Sequence, residues 1–233
     1  MIYITGDLHG GYDVRKLLKT EFNEDDFLIV CGDFGYVWTV DRMRYELEKE
    51  ELDSLMKRIN CTVLFCDGNH ENFARLNALP KQKLFGGTVQ KITDRCYHVC
   101  RGEVLTIKGK RFLFIGGAES HDKQYRTEGI SWWKEESITK ADMNRALKNA
   151  DKYKVDYIIS HSAPLSIRNK VFVNENIPYS DYEEAQSCEL LELLYAKMME
   201  KRHKWKWFLG HYHLDVNYNP FNLLYNYIYK LED

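Results

Sequence analysis

No apolar run in the chain approaches the roughly eighteen residues of a membrane span, which excludes a transmembrane helix on sequence grounds. The start, MIYITGDLHGGYD, lacks the basic stretch and apolar core of a secretory signal, so a cytoplasmic protein is expected. The six cysteines, Cys31, Cys61, Cys66, Cys96, Cys100 and Cys188, contain no C-x-x-C pair of the kind that marks a structural zinc site. They lie in or beside apolar segments, and buried free thiols are expected. An excess of basic charge is missing too. A formal net charge of -2 provides no overall field for a nucleic-acid backbone, although it leaves room for a local patch. Internal repeats and low-complexity tracts are absent, which excludes a solenoid.

What the chain does have is enough apolar material for one substantial core: 233 residues, 44% of them hydrophobic. No shift in composition marks a linker, and residues 1–233 are expected to form a single domain. Four short runs rich in β-branched and aromatic residues, MIYIT (1–5), DFLIVC (26–31), TVLFC (62–66) and VDYIIS (155–160), read as buried strands. Between them, 42–58 carries apolar residues at helical spacing, and Val14, Leu17 and Leu18 offer a shorter apolar face. This alternation is the pattern of βαβ units. TVQKI, CYHVC, GEVLTI and KRFLFIGG, crowded into the middle with glycine or charged turns, predict antiparallel strands. Helices are expected over 139–150 and 181–202, the second with acids at its start and bases at its end. The last stretch predicts further strands turning at Asn219-Pro220, with Tyr225, Tyr227 and Tyr229 on one face.

Each buried run is followed at once by carboxylate, imidazole or carboxamide. The sequences are GDLHG after MIYIT, GD after DFLIVC, DGNHE after TVLFC, His161 after VDYIIS, and GHYH after WKWFL. Ligand sites in open α/β sheets form at the carboxyl ends of strands, so five such clusters are expected to converge on one crevice. Asp7, His9, Asp33, Asn69, His161, His211 and His213 are seven nitrogen and oxygen donors with no thiolate among them. They suit manganese, iron or zinc, whereas calcium wants oxygen alone. Seven are too many for one four-coordinate ion, and they fit two divalent ions if a carboxylate bridges. The residual positive charge of such a centre would attract an anionic phosphate, which makes a small phosphate ester the expected substrate.

The ordered set GDLHG, GDFGY, GNHE, HSAP and GHYH resembles the five motif blocks of the calcineurin-like metallophosphoesterases, and spans residues 6 to 213. A small bacterial or phage-type member is the nearest likeness. The resemblance implies an α/β fold, a four-layer sandwich of two mixed β-sheets flanked by helices, with the site at the strand ends. It implies that Asp7, His9, Asp33 and His213 hold one metal and Asp33, Asn69, His161 and His211 the other, with Asp33 bridging. It also implies that His70 is catalytic beside the phosphoryl group, and that a metal-bound hydroxide attacks in line.

In the protein-phosphatase branch the second block continues to an Asp-Arg pair that orients the catalytic histidine and clamps phosphate; here it reads GDFGYVW, and both residues are missing. A role on phosphoproteins is disfavoured accordingly. Arg126, in the polar segment 116–136, is the candidate substrate-binding residue that replaces the clamp. Trp132 and Trp133 beside it are expected to anchor the loop. His98 and His203 look incidental. Two alternatives stay open: a phosphodiesterase or nuclease acting on nucleotides or nucleic acid, and a catalytically silent, metal-stabilised interaction module. Nothing in the sequence specifies an oligomeric state.

Overall fold

The computed structural model describes residues 1–177 and 186–232. Two mixed sheets lie face to face. The first has seven strands in the order β13-β1-β2-β3-β6-β5-β4, built from Ile2–Thr5 (β1), Phe27–Val30 (β2), Thr62–Phe65 (β3), Lys81–Leu84 (β4), Gly87–Thr93 (β5), Cys96–Val99 (β6) and Tyr229–Leu231 (β13). The second has six in the order β11-β12-β10-β9-β8-β7, from Val104–Ile107 (β7), Lys110–Ile115 (β8), Tyr157–Ser160 (β9), Lys206–Leu209 (β10), Val216–Tyr218 (β11) and Phe221–Leu223 (β12). β1, β2 and β3 are parallel in one sheet, as are β8, β9 and β10 in the other, so their carboxyl ends gather at one edge of the sandwich.

The period of two along each strand explains the layers. Ile4, Ile29 and Leu64 meet Phe114, Ile159 and Phe208 between the sheets. Their neighbours point outward: Tyr3, Leu28 and Val63 pack under the helix Arg42–Ile59 (α1), whose Leu52, Leu55, Met56 and Ile59 form its buried stripe. On the far side Leu113, Ile158 and Trp207 pack against Lys140–Lys152 (α3), Leu165–Glu175 (α4) and Gln186–Met199 (α5). The short helix Phe73–Ala78 (α2) follows β3. These four layers match the expected architecture, and among the described residues no helix is long and apolar enough to cross a membrane.

Local rules account for the helix boundaries. Asp41 accepts from the Met43 amide at the start of α1, and Asn60 closes it in the left-handed region. Thr139 and Asp142 cap α3 reciprocally. The six cysteines are free, and all but Cys100 are buried. α4, which carries too weak an amphipathic contrast to predict, follows the HSAP turn directly. The expected onset of the following helix at 181–185 lies outside the described residues. The tyrosine stripe is not formed: the Asp215 carboxylate accepts from the amides of Tyr225, Asn226 and Tyr227, folding that stretch into a bend between β12 and β13. Tyr225 then faces His213 while Tyr229 packs on Phe208.

Phe114 has no exposed surface and sits between the sheets. Phe114→Ala should lower stability by about 3–5 kcal/mol, read as a fall in the urea midpoint at unchanged slope.

Candidate metal centre

Asp7 and His9 leave β1, Asp33 leaves β2, Asn69 and His70 leave β3, His161 leaves β9, and His211 and His213 leave β10. The loops are laced by backbone bonds: the Leu8 and His9 amides donate to the Asp33 carbonyl at 2.9 Å, and the Gly210 amide donates to the His161 carbonyl at 3.2 Å. Close approach demands small residues here. A Cβ on Gly68 would fall 2.2 Å from Asp33 Oδ1, and one on Gly210 would fall 2.1 Å from Asp7 Oδ1. The backbone is also under strain, since His9, Asp33, His211 and His213 all have positive φ, from 44° to 69°.

Asp33 is the hub. It is buried, with Oδ2 3.3 Å from His9 Nε2 and Oδ1 3.3 Å from His161 Nε2, so its two oxygens face different imidazoles. Asn69 Oδ1 also lies 3.3 Å from His161 Nε2, and Asp7 Oδ2 lies 3.0 Å from His213 Nε2. The His211 ring stands 4.8 Å from that of His161, and its amide donates to Asp7. The seven donors anticipated from sequence thus lie around one point, and three overlapping groupings there could hold a cation: Asp7/His9/His213, His9/Asp33/His70 and Asp7/Asp33/His161.

The imidazoles are oriented from behind. The His161 Nδ1–H donates to the Cys31 carbonyl at 2.7 Å, and the His9 Nδ1–H donates to Asp13 Oδ2 at 2.7 Å, which leaves each Nε2 aimed at Asp33. Tyr225 stacks on His213 with ring centroids 4.4 Å apart and planes 11° from parallel, while its hydroxyl donates to Asp13 at 3.1 Å. Lys16 donates to the carbonyls of Asp7 and Tyr225 and ties the two loops together. No motif or spacing in the chain signals these supporting roles. Asp13 reads as the start of a helical turn, and Tyr225 is far away along the chain.

Electrostatics follow from burying two carboxylates. Burial alone would raise Asp7 and Asp33; the His213 hydrogen bond and the His161 charge outweigh it at Asp7, the His161 and His70 charges at Asp33, and both end below the usual carboxylate range. Burial opposes protonation of the imidazoles in turn, yet Asp33 and Asp7 push His9 up to about 9 and His161 up to about 10. Such a pocket recruits positive charge, and protons fill a demand that divalent ions would meet with the same oxygen and nitrogen atoms. The donor set thus fits divalent metal.

His70 is held by means the sequence did not disclose. Its amide donates to Asp33 Oδ1 at 2.8 Å, its ring packs on Trp38 at 5.2 Å and edge-on to His9 at 5.0 Å, and its Nε2 accepts from Arg126 Nη2 at 3.4 Å. Trp38 thereby does part of the orienting that the missing Asp would do. Burial, abetted by the positive charge of His9 and Arg126 and opposed by Asp33, lowers the His70 pKa. Arg126 is fixed by Asp122 at 2.6 Å and by the Ser131 carbonyl at 3.0 Å, with its guanidinium beside His70. Trp133 is buried and edge-on to Trp38, the expected anchor, while Trp132 is half-buried.

Two buried acids brace the loops. Glu71 accepts from the Phe34 amide at 2.6 Å and the Gly68 amide at 2.5 Å, and burial together with the Asp33 charge pushes it up to about 8. Asp67 binds Arg101, whose Nη1 and Nη2 also donate to the carbonyls of Ser137 (2.8 Å) and Glu135 (2.7 Å), so one guanidinium joins the Asn69–His70 turn to the end of the Arg126 loop. His98 is not incidental: its Nε2 contacts Asp67 at 3.1 Å. A cavity of about 880 Å³ opens beside His9, His70 and His213, walled by Tyr36, Trp38 and Tyr225.

Comparison with known proteins adds one finding. A family model described as calcineurin-like phosphoesterase matches residues 1–215. No curated protein matches the chain.

The shifts set a pH window for the metal-free protein. The imidazoles with raised values stabilise it fully below about 6.5 and lose that contribution as pH climbs through 9 and 10; the carboxylates contribute above about 4 and lose it as pH falls. Chelator-treated protein should melt highest between about pH 4 and 6.5. Scanning calorimetry at stepped pH checks this, and a maximum near pH 9 would contradict it.

Proposed function

The chain belongs to the calcineurin-like phosphoesterase family, and from that premise we propose that it hydrolyses phosphate esters with two divalent cations. One cation is held by Asp7, His9, Asp33 and His213, the other by Asp33, Asn69, His161 and His211. The observation that carries this reading is Asp33, whose Oδ2 lies 3.3 Å from His9 Nε2 and whose Oδ1 lies 3.3 Å from His161 Nε2, so that one carboxylate would serve both cations. Bound there, divalent ions would supply Lewis acidity toward phosphoryl oxygens and lower the pKa of a coordinated water. Manganese, iron and zinc all suit the donors.

The remaining roles belong to the chain itself. Arg126 presents a guanidinium, pre-oriented by Asp122 and Ser131, to the non-bridging oxygens of the ester, where it replaces the clamp missing from the second motif. His70 is braced on Trp38 beside Arg126; carrying a proton on its ring, it donates to a phosphoryl oxygen or passes that proton to the leaving oxygen and regains one from water. Tyr225 keeps His213, the most exposed of the imidazoles at 48%, in its ligating pose. The cavity past His70 gives room for a bulky organic leaving group against Tyr36, Trp38 and Tyr225, so an organic monoester is favoured over inorganic phosphates, with diesters as the competing class. A silent interaction module is the weaker reading, because Arg126, which no backbone constraint requires at this place, stands 3.4 Å from His70 beside the candidate ligands.

Asp33→Asn should lose metal and turnover together, whereas His70→Ala should keep the metal, by elemental analysis, and lose about 10²–10⁴ in kcat. Arg126→Ala should lower kcat/KM for an aryl phosphate by about 10–10³ with metal content unchanged. Full activity of either Asp33→Asn or Arg126→Ala would remove the corresponding assignment. Side-by-side rates on an aryl phosphate and its bis-aryl diester decide between ester classes. For Tyr225→Ala, metal affinity should fall by about 10-fold on titration into stripped protein, with Tyr225→Phe close to wild type.

A further inference from the structure

The end of the sandwich opposite the metal centre has its own electrostatic character. Three segments meet there. The β7–β8 turn and the start of β8 carry Lys108, Lys110 and Arg111; the approach to β9 carries Lys152 and Lys154; residues 200–206, EKRHKWK, lead into β10. Backbone bonds hold them side by side: the Asp156 amide donates to the Arg111 carbonyl at 2.9 Å, the Lys206 amide to the Asp156 carbonyl at 3.1 Å, and the His203 ring contacts the Val155 carbonyl at 2.7 Å.

Segments 108–111, 151–156 and 200–206 hold nine lysines and arginines against three acids, a formal charge of +6, whereas the rest of the chain carries -8. The acids among them are already engaged. Asp151 sits 3.0 Å from both Lys197 and Lys201, Asp156 Oδ2 accepts from the Arg111 amide at 2.9 Å, and Glu200 lies 3.5 Å from Lys197. Lys108, Arg111, Lys152, Lys154, Arg202 and Lys204 are exposed. A net charge near zero for the whole molecule therefore conceals a polarised one.

Within this face lies a cavity of about 690 Å³, where Lys110, Lys204 and Lys206 surround Trp205, Tyr157 and Pro220. Cations around half-buried aromatic rings are the chemistry that grips phosphates while bases stack. Among the described residues no large apolar side chain is exposed within the three segments, and the exposed Met199 beside them is a single side chain, too little to anchor the face in a bilayer. We propose that this face binds single-stranded nucleic acid, as a site separate from the phosphoesterase centre and independent of its assignment. β9 runs from Tyr157 on this face to Ser160 beside His161, a separation of about 10 Å through the sheet, so a strand held here is tethered to the protein without lying in the metal centre.

The test is fluorescence anisotropy of the metal-loaded protein with a labelled single-stranded RNA or DNA of about 20 nucleotides, titrated between roughly 50 and 200 mM salt. Affinity should drop as salt rises, with a log–log slope of about -3 to -4 for four to six phosphate contacts. The double variant Lys110→Glu/Lys204→Glu should weaken binding by about tenfold or more, while Lys49→Glu on α1 should not. Hydrolysis of an aryl phosphate should be equal in all three proteins, which separates this outcome from any failure of the metal-centre assignment. Binding that is salt-independent, equal losses for both variants, tighter binding of the matching duplex, or preference for phosphatidylserine vesicles would each overturn the proposal.

Discussion

The interaction on which the structure turns is the burial of the Asp7 and Asp33 carboxylates at the seam where two sheets end. Apolar packing alone would not leave two charges there. Imidazoles from the partner sheet and from the neighbouring loops surround them, and the charge of one group fixes the protonation of the next. The sandwich makes this possible because parallel strands from both sheets finish at the same edge, so residues 7 and 211 meet although about two hundred positions separate them. Without the paired sheets, no local segment of this chain could assemble more than two of the donors.

Much of this was legible in the amino-acid order. Strands β1, β2, β3 and β9 announce themselves as short β-branched runs, and each hands a polar cluster to the same edge, so Asp7, His9, Asp33, Asn69, His161, His211 and His213 could be anticipated before any fold was known. Arg126 could be anticipated from a gap, because a missing cation in one motif implied a replacement elsewhere. The four-layer arrangement was implied by the family resemblance that the ordered motifs carry.

What escaped the sequence has a common cause. Asp13, Trp38, Arg101 and Tyr225 each hold other side chains in place, and no spacing rule links them to their targets. The bend at Tyr225 depends on Asp215 collecting three amides, a tertiary arrangement that overrides the period-two pattern of the tyrosines. α4 was missed since Ile167, Val171 and Phe172 supply its contact while the rest of the segment gives little contrast. The basic face was invisible for a related reason: Lys110 and Lys204 lie far apart in order, and a global charge count averages them against acids elsewhere.

The left-handed backbone at His9, Asp33, His211 and His213 bears on descent. Asparagine, aspartate and histidine tolerate that conformation better than other side-chain-bearing residues, and they are also the side chains that coordinate cations. Two selective filters therefore act on the same positions and admit overlapping residues. A lineage that gave up hydrolysis would still be penalised for replacing these residues with valine or leucine, and would drift toward asparagine or glycine first. In such relatives, intact histidines would be a poor marker of retained turnover, and the fate of Arg126, whose place is not dictated by backbone shape, would be the more telling character.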